Sequence, residues 1–434
     1  MTKTQKKLHV ISLGCSKNLV DSEVMLGRLK DYNLTHEISE ADVIIINTCG
    51  FIAAAKQESL GCIFESLRKR KEGALLVASG CLVARYAKEI KEMIPEIDIL
   101  TGVSDYHKID SMIAEKKGVV RDSVFLYNQE ERIITGSNIH AFVKISEGCN
   151  QSCSFCSIPN FKGKLQSRQI DSILCEVELL AKRGYHDISF IAQDSSSFLK
   201  DKGQENGLLK LIHAIEAQGA IKSARILYLY PSSTNRALIE AIAASDIFQN
   251  YYDMPIQHIS PKILKDMQRS HKDLKELLAY MKKMPQSFIR SSVIIGYPSE
   301  EEYDFALLCE FIQSFGFDRL NIFEYSKEEG TKAGTLEELP KKIRTQRINT
   351  LKKILAKQQK KLFQNMVGKE IEAIVEGKSE ISEYFYSARD KRWAKEIDGE
   401  ILINDGAFKG AGYYRVKITE CKDNILIGEI TATL

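Results

Sequence analysis

Short apolar runs alternate with longer stretches of helical periodicity along most of this chain. Residues 8–13, 42–47, 75–79 and 97–100 are continuous apolar runs of strand length. Such runs suit parallel strands buried on both faces, and the segments between them repeat apolar positions at three- and four-residue spacing. The pattern predicts an N-terminal Rossmann-like α/β domain over residues 1–130, closed by the polar linker Tyr127-Asn128-Gln129-Glu130-Glu131-Arg132. A second series places strands at 141–145, 187–192, 225–230 and 292–295. Repeated strand–helix units of this length fit a full or partial (β/α) barrel, whose chemistry belongs at the C-terminal strand ends. A lysine-rich amphipathic helix over 341–366, with Ile343, Leu351, Ile354, Leu355 and Leu362 on one side, completes a central domain over 138–366. From 367 to 434 short alternating strands with turns at Asp398-Gly399 and Asp405-Gly406 predict a small antiparallel β-barrel.

The length of 434 residues agrees with two or three domains. A net charge of +3 does not mark a dedicated nucleic-acid binder. Ten cysteines would suit a secreted disulfide protein, but the polar start Met1 to Lys7 is no signal peptide. No apolar stretch approaches the roughly 20 residues of a membrane span. The expectation is a cytoplasmic protein, with no membrane partner, whose cysteines are thiols or metal ligands.

Three of those cysteines stand in the run Cys149-Asn150-Gln151-Ser152-Cys153-Ser154-Phe155-Cys156, directly after Glu147-Gly148. A tight loop with three thiolates can hold three irons of a 4Fe-4S cluster and leave the fourth free, whereas an electron-transfer cluster usually has four cysteines. Half a zinc site is the alternative, since two-residue spacing also suits zinc. Three more cysteines follow predicted strands, each beside a glycine: Gly14-Cys15, Cys49-Gly50 and Gly80-Cys81. Loops at the C-terminal ends of parallel strands converge on one crevice, so these three predict a second cluster with an open iron. Buried packing thiols are the alternative. Cys62, Cys175 and Cys309 sit in helical patterns and Cys421 near a strand end, and all four read as packing thiols.

The three-cysteine loop, the aromatic before its last cysteine and the following Ile158-Pro159 resemble the signature of the radical S-adenosylmethionine enzymes. Two cysteine trios in this order, with Gly14 through Glu23, Asn47-Thr48-Cys49 and a final barrel similar to a TRAM domain, resemble the methylthiotransferases over essentially the whole chain. Lys17-Asn18, Ala192-Gln193-Asp194-Ser195-Ser196, Leu227-Tyr228-Leu229-Tyr230-Pro231, the stretch from Asp253 to Ser260 and the stretch from Tyr325 to Thr331 resemble the branch that modifies a ribosomal protein. The sister branch, which modifies adenosine in transfer RNA, typically has glutamine-methionine beside the first cysteine. The barrel carries 13 acidic and 10 basic residues from Lys369 to Leu434, a charge poorly suited to gripping RNA phosphates.

The resemblance implies a radical enzyme with two 4Fe-4S clusters and S-adenosylmethionine, transferring a methylthio group to the β-carbon of an aspartyl residue in the twelfth protein of the small ribosomal subunit. It implies an electron donor such as flavodoxin or ferredoxin, and a contact with the ribosome. Methylthiolation of transfer RNA is the alternative; a passive iron-sulfur or zinc protein that binds ribosomes or RNA is a further one. Cys149, Cys153 and Cys156 would hold the radical-generating cluster; Cys15, Cys49 and Cys81 would hold the auxiliary one. Phe155 would lie near the adenine, or else be a core aromatic. Arg168 is a candidate partner for the methionyl carboxylate, because a guanidinium matches a carboxylate bidentately, or else part of a surface salt bridge. Gln193 and Asp194 would hold ribose or amino groups, with a helix cap as the alternative for Asp194. Gly296 would border the adenine or serve as a turn. Two departures from the family pattern stand out: Lys162 where arginine is usual, and Ser299 where glycine is usual.

Overall fold

Parallel pairing assembles the first apolar runs into one sheet. In the computed structural model, which describes residues 5–121, 123–128, 131–269, 273–395 and 397–434, these runs form Lys7–Ser12, Val43–Thr48, Leu75–Gly80 and Ile99–Leu100, with Asn33–Leu34 added at one edge. Gln129 and Glu130 of the linker, residues 1–4 and Glu396 lie outside the described residues. The register runs from Leu8 opposite Val43 to Ser12 opposite Asn47, and from Val43 opposite Leu75 to Thr48 opposite Gly80. The C-terminal strand ends are therefore level, and residues 15, 49 and 81 leave the sheet along one edge. Strand order reverses between Lys7–Ser12 and Val43–Thr48, the position where open α/β sheets form a crevice.

The second series forms an open six-stranded sheet: His140–Lys144, Asp187–Ile191, Ser223–Ile226, Phe248–Asp253, Phe288–Ile295 and Arg319–Glu324, all parallel and in chain order. It is a partial barrel. Two of its strands, Phe248–Asp253 and Arg319–Glu324, escape the apolar pattern because Gln249, Asn250 and Asn321 interrupt it. The run 225–230 is strand only as far as Ile226, because Tyr228 takes a left-handed backbone with φ of 63° and turns the chain out. The helices Ile170–Lys182, Gly207–Gln218 and Arg236–Ala243 cover one face, burying Ile173, Val177, Leu211, Ile215 and Ile239 against Ile188, Phe190 and Ala224.

The C-terminal strands Glu370–Lys378, Tyr386–Asp390, Ile401–Asp405, Gly412–Lys422 and Ile425–Thr433 close a barrel. An odd number of strands cannot close with every neighbour antiparallel. Ile401–Asp405 accordingly runs parallel to Ile425–Thr433, and the other four seams are antiparallel. The barrel docks under the N-terminal ends of the six-stranded sheet. Asp187, the first residue of its strand, accepts from Arg225 at 2.9 Å and from Arg389 of the barrel at 2.6 Å, while Tyr413 meets Ser223 at 2.8 Å. Burial pushes the Asp187 carboxyl up, and the two guanidiniums outweigh it and hold the group well below the usual carboxylate range. One of the apolar clusters spans all three domains, from Val20 and Tyr106 through Phe142 and Phe288 to Trp393 and Tyr414.

The long helix Lys341–Gln364 buries Leu351 and Phe363 and half-buries Ile354, Leu355 and Leu362. Ile343 departs from the expected face and is 37% exposed. Among the described residues no helix is long and apolar enough to cross a membrane.

Candidate functional site: two cysteine trios across a buried seam

The loop that carries Cys149, Cys153 and Cys156 is tied down at both ends. Ser146–Glu147 pairs with Gln166–Ser167, and Gly148 turns the chain with φ of 76° at a point where Lys162 and Lys164 carbonyls leave no room for a Cβ. The Cys149 amide donates to the Gly163 carbonyl at 3.1 Å, Ser154 donates to Met267 at 3.0 Å, and Ala333 donates back to Ser154 at 2.8 Å. The loop follows the C-terminal end of His140–Lys144, an edge strand of the six-stranded sheet. Arg269 donates to Cys153 Sγ at 3.4 Å and stacks over Tyr230, whose hydroxyl lies 3.6 Å from the same sulfur. Burial pushes the Cys149 thiol up to about 11 and the Cys156 thiol up to about 12. Burial of this kind raises any thiol, and metal binding would have to displace the proton.

Cys15 precedes the helix Ser16–Arg28, Cys49 follows Val43–Thr48, and Cys81 opens the helix Cys81–Met93. Cys15 is exposed, whereas Cys49 and Cys81 are buried. Close approach explains the first glycine: a Cβ on Gly14, whose φ is 87°, would lie 2.7 Å from both Cβ and Sγ of Cys49. Asn18 Nδ2 donates to the carbonyls of Leu13 at 3.0 Å and Thr48 at 2.9 Å, and the Cys81 thiol donates to Asn18 Oδ1 at 3.5 Å. One asparagine thus ties together the loops bearing all three cysteines. Burial also raises the Cys49 thiol, and raises Cys81 to about 12.

The two trios face each other across a seam of buried charge. Lys162, at the end of the short helix Ile158–Lys162 that follows Cys156, lies 3.4 Å from Glu147 and 3.7 Å from Asp21. Burial opposes the Lys162 charge, and Glu147, Cys81, Asp21 and Cys15 together outweigh it and hold its pKa above the ordinary lysine value. Lys144 meets both Asp21 at 2.5 Å and Glu147 at 2.6 Å. Burial would raise the Glu147 carboxyl, but Lys144 and Lys162 bring it down to about 2. On the far side, Glu328 pairs with Lys56 at 2.8 Å and Arg85 at 3.0 Å, and Arg85 reaches the Gly50 carbonyl beside Cys49.

The other sequence candidates divide. Phe155 lies beside the loop, packed on Ile263, Met267, Ile294, Tyr297, Tyr325 and Ala333, and forms an apolar wall next to Cys156. Asp194 caps the turn Ser195–Ser197, and its other oxygen accepts from Gln151 of the cysteine loop at 2.8 Å. It acts both as the cap and as a brace for the loop. Gln193 donates to Glu147, and its Oε1 is buried with no partner. Gly296 is a turn with φ of 79°, its amide held by Glu300 at 3.0 Å, and a Cβ there would strike Arg344 of the long helix. Arg168 does not enter the crevice. Its guanidinium is taken up by Lys144 O at 3.0 Å, Glu176 at 2.5 Å, Asn128 O at 2.7 Å and Ser172 Oγ at 2.9 Å, and it covers the Tyr127 ring. That geometry ties the linker to the central sheet through both terminal nitrogens and leaves only the buried Nε without a partner. The pattern reading missed Arg269 and Tyr230. Their only local signal is an aromatic before Pro231, because Arg269 meets Cys153 from 116 positions away.

Near the two trios, the Ser16 and Ser157 hydroxyls, Gln193 Oε1 and Arg269 Nε are buried polar atoms without a hydrogen-bond partner. No three His, Cys, Asp or Glu side chains among the described residues converge on a single ion. Each trio offers three thiols as donors, a set that suits an iron-sulfur cluster.

Known proteins match on each part of this architecture. Residues 7–102 match the uncharacterized protein family UPF0004, residues 143–312 the radical SAM superfamily and residues 367–431 the TRAM domain. The solved radical S-adenosylmethionine methyltransferase TsrM from Kitasatospora setae, with cobalamin and a [4Fe-4S] cluster bound, superposes with a TM-score of 0.56 over 76% of this chain and 77% of its own. At 14% identity that likeness concerns the fold. Ribosomal protein uS12 methylthiotransferase RimO of Helicobacter pylori (strain ATCC 700392 / 26695) is 58% identical over 99% of this chain and 98% of its own length. The RimO of Wolinella succinogenes is 56% identical over 98% of each. With a UPF0004 sheet, a radical SAM partial barrel and a TRAM barrel in this order, and identity at that level from end to end, the chain belongs to the RimO family of uS12 methylthiotransferases.

Proposed function

We propose that this enzyme transfers a methylthio group to the β-carbon of an aspartyl residue of ribosomal protein uS12 in the cytoplasm, drawing electrons from a donor such as flavodoxin or ferredoxin. The observation that carries the reading is the pair of cysteine trios, each at the C-terminal ends of a parallel sheet, with Lys162 ending the helix that follows Cys156 and lying close to Cys15 and Cys81. Two 4Fe-4S clusters and S-adenosylmethionine supply the radical and the sulfur chemistry. Cys149, Cys153 and Cys156 would hold one cluster and Cys15, Cys49 and Cys81 the other, each set leaving one iron free for a non-protein ligand. Phe155 walls the radical crevice against water, while Asp194 and Gln151 fix the loop's shape. Arg269 and Tyr230 place a cation and a hydroxyl beside Cys153, where they stabilise thiolate charge. Gln193, with one oxygen free, is a candidate contact for S-adenosylmethionine. Gly296 keeps the turn beside that crevice free of a side chain, next to the long helix.

Comparing the masses of small-subunit proteins from cells with and without this gene tests the reading. The expected result is one methylthio group lost from uS12 and restored by the wild-type chain. An unchanged uS12 with methylthio-adenosine missing from transfer RNA would move the enzyme to the sister activity.

A further inference from the structure

Three lysines meet at the seam between the trios, and only two carboxylates meet them. Lys144 and Lys162 share Asp21 and Glu147. Lys17, in the first turn of Ser16–Arg28, is 9% exposed and has no carboxylate within ion-pair distance among the described residues. Its ammonium reaches the Ala192 carbonyl at 3.4 Å and lies 3.5 Å above the centre of the Tyr228 ring. A charge held out of water without a counter-ion is strongly disfavoured, so this position calls for an anion.

The neighbours of Lys17 come from both sides of the seam. Cys15 lies two residues back on the auxiliary side. Ala192 leads into Gln193 and Asp194, and Tyr228 leads into Tyr230, which touches Cys153 on the radical side. Tyr228 is also held in a backbone conformation that non-glycine residues avoid. Its amide donates to Asp253 at 3.0 Å and its carbonyl accepts from Ser195 at 3.0 Å. Strain kept in place by specific bonds at a strand end is a mark of a working position, and here it turns the ring beneath the ammonium. An acceptor carbon has to be reached from both crevices, and Lys17 stands on that path.

We infer that Lys17 is a specificity-determining residue, whose ammonium binds the carboxylate of the acceptor side chain over the face of Tyr228 and selects an acid over its amide. The inference rests on the uS12 reading above and names how that site chooses its residue.

The test is equilibrium binding of full-length, cluster-loaded enzyme to two forms of purified uS12, one natural and one with the modified aspartate changed to asparagine. The wild type is expected to prefer the natural form by about tenfold to a hundredfold, the worth of a hydrogen bond to a charged group. Lys17→Met should erase that preference, and Lys17→Arg should keep most of it. Iron content separates a role at the cluster: about 8 irons per chain is expected in Lys17→Met. Loss of half the iron would assign Lys17 to the auxiliary cluster and overturn the inference. Equal wild-type affinity for the two forms would overturn it regardless of how the variants fold, as would a preference that survives in Lys17→Met. Failure of the parent reading is separate, because uS12 from wild-type cells would then carry no methylthio group.

Discussion

Asp21 of the N-terminal domain and Lys144 of the central sheet meet at 2.5 Å inside the protein, with side chains 5% and 0% exposed. Asp21 lies less than two turns after Cys15, and Lys144 ends the strand that leads into the Cys149 loop. The ion pair is therefore one of the buried contacts that join the two cysteine-bearing domains, with Arg132–Glu23 at 2.6 Å. Removing one partner of a buried pair costs about 3–5 kcal/mol, because the other charge remains buried. Asp21→Asn leaves Lys144 and Lys162 to share Glu147, and it should lower the urea-unfolding free energy by about 3 kcal/mol. A loss below about 1 kcal/mol, the worth of a surface pair, would show that water reaches the seam.

The assignment of the trios gives a contrast among three cysteines. Cys49→Ala should reduce iron from about 8 to about 4 atoms per chain and leave cleavage of S-adenosylmethionine in place, while methylthio transfer is lost. Cys153→Ala should remove the same amount of iron and abolish cleavage. Cys175 lies in the helix Ile170–Lys182, outside both trios, and Cys175→Ala should change neither quantity. Iron and acid-labile sulfide analysis with a 5′-deoxyadenosine assay checks all three. Equal iron in Cys49→Ala and Cys175→Ala would remove Cys49 from the ligand set.

Much of this arrangement was legible in the chain, and the part that was not has a common cause. The runs at 8–13, 42–47 and 75–79 are strands because buried parallel strands are apolar on both faces, and their level ends place Cys15, Cys49 and Cys81 together. The cysteine loop announced itself through spacing. Charged residues did not, since a lysine in a sequence reads as a solvated face. Lys17, Lys144 and Lys162 are all buried, and their partners lie up to 175 positions away. Arg168 misled for the same reason: a guanidinium after the cluster loop fits a ligand carboxylate, yet Glu176 and the Asn128 carbonyl claim it. Phe248–Asp253 was hidden by Gln249 and Asn250, which an alternation rule reads as a break.

Asp187 makes one of the bonds that dock the C-terminal barrel, and it serves both Arg225 and Arg389. Arg389 also donates to the Trp393 carbonyl at 3.0 Å, so it holds the barrel's own turn against the sheet. Arg389→Met keeps the bulk and removes the charge, leaving Arg225 to neutralise Asp187. The expected loss is about 3 kcal/mol, with new protease cleavage near 367 that precedes unfolding of the rest. Cleavage unchanged from wild type would show that the Trp393 and Tyr413 contacts hold the barrel without this pair.

Acid should weaken the folded state through two buried histidines before it reaches the carboxylates. Burial lowers His258 to about 4 against the opposing pull of Asp304, and it lowers His140 well below the ordinary value despite Asp187. His258 Nδ1 accepts from the Ser260 amide at 3.0 Å, and Glu300 and Arg347, paired at 2.6 Å, face its ring. Each histidine is held neutral in the folded chain and titrates near about 6.5 once unfolded. A group whose folded pKa is depressed contributes stability that is complete above the unfolded value and is lost as pH falls toward the folded one. Between pH 7.5 and 5.5 each should cost about 1.4 kcal/mol, because only the unfolded chain takes up the proton. His258→Asn retains an acceptor for Ser260 and removes the titration. Its urea-unfolding free energy should therefore fall by about 1.4 kcal/mol less than that of the wild type over the same pH step. An equal fall in both proteins would mean that His258 gains its proton inside the fold, with Glu300 as its counter-charge.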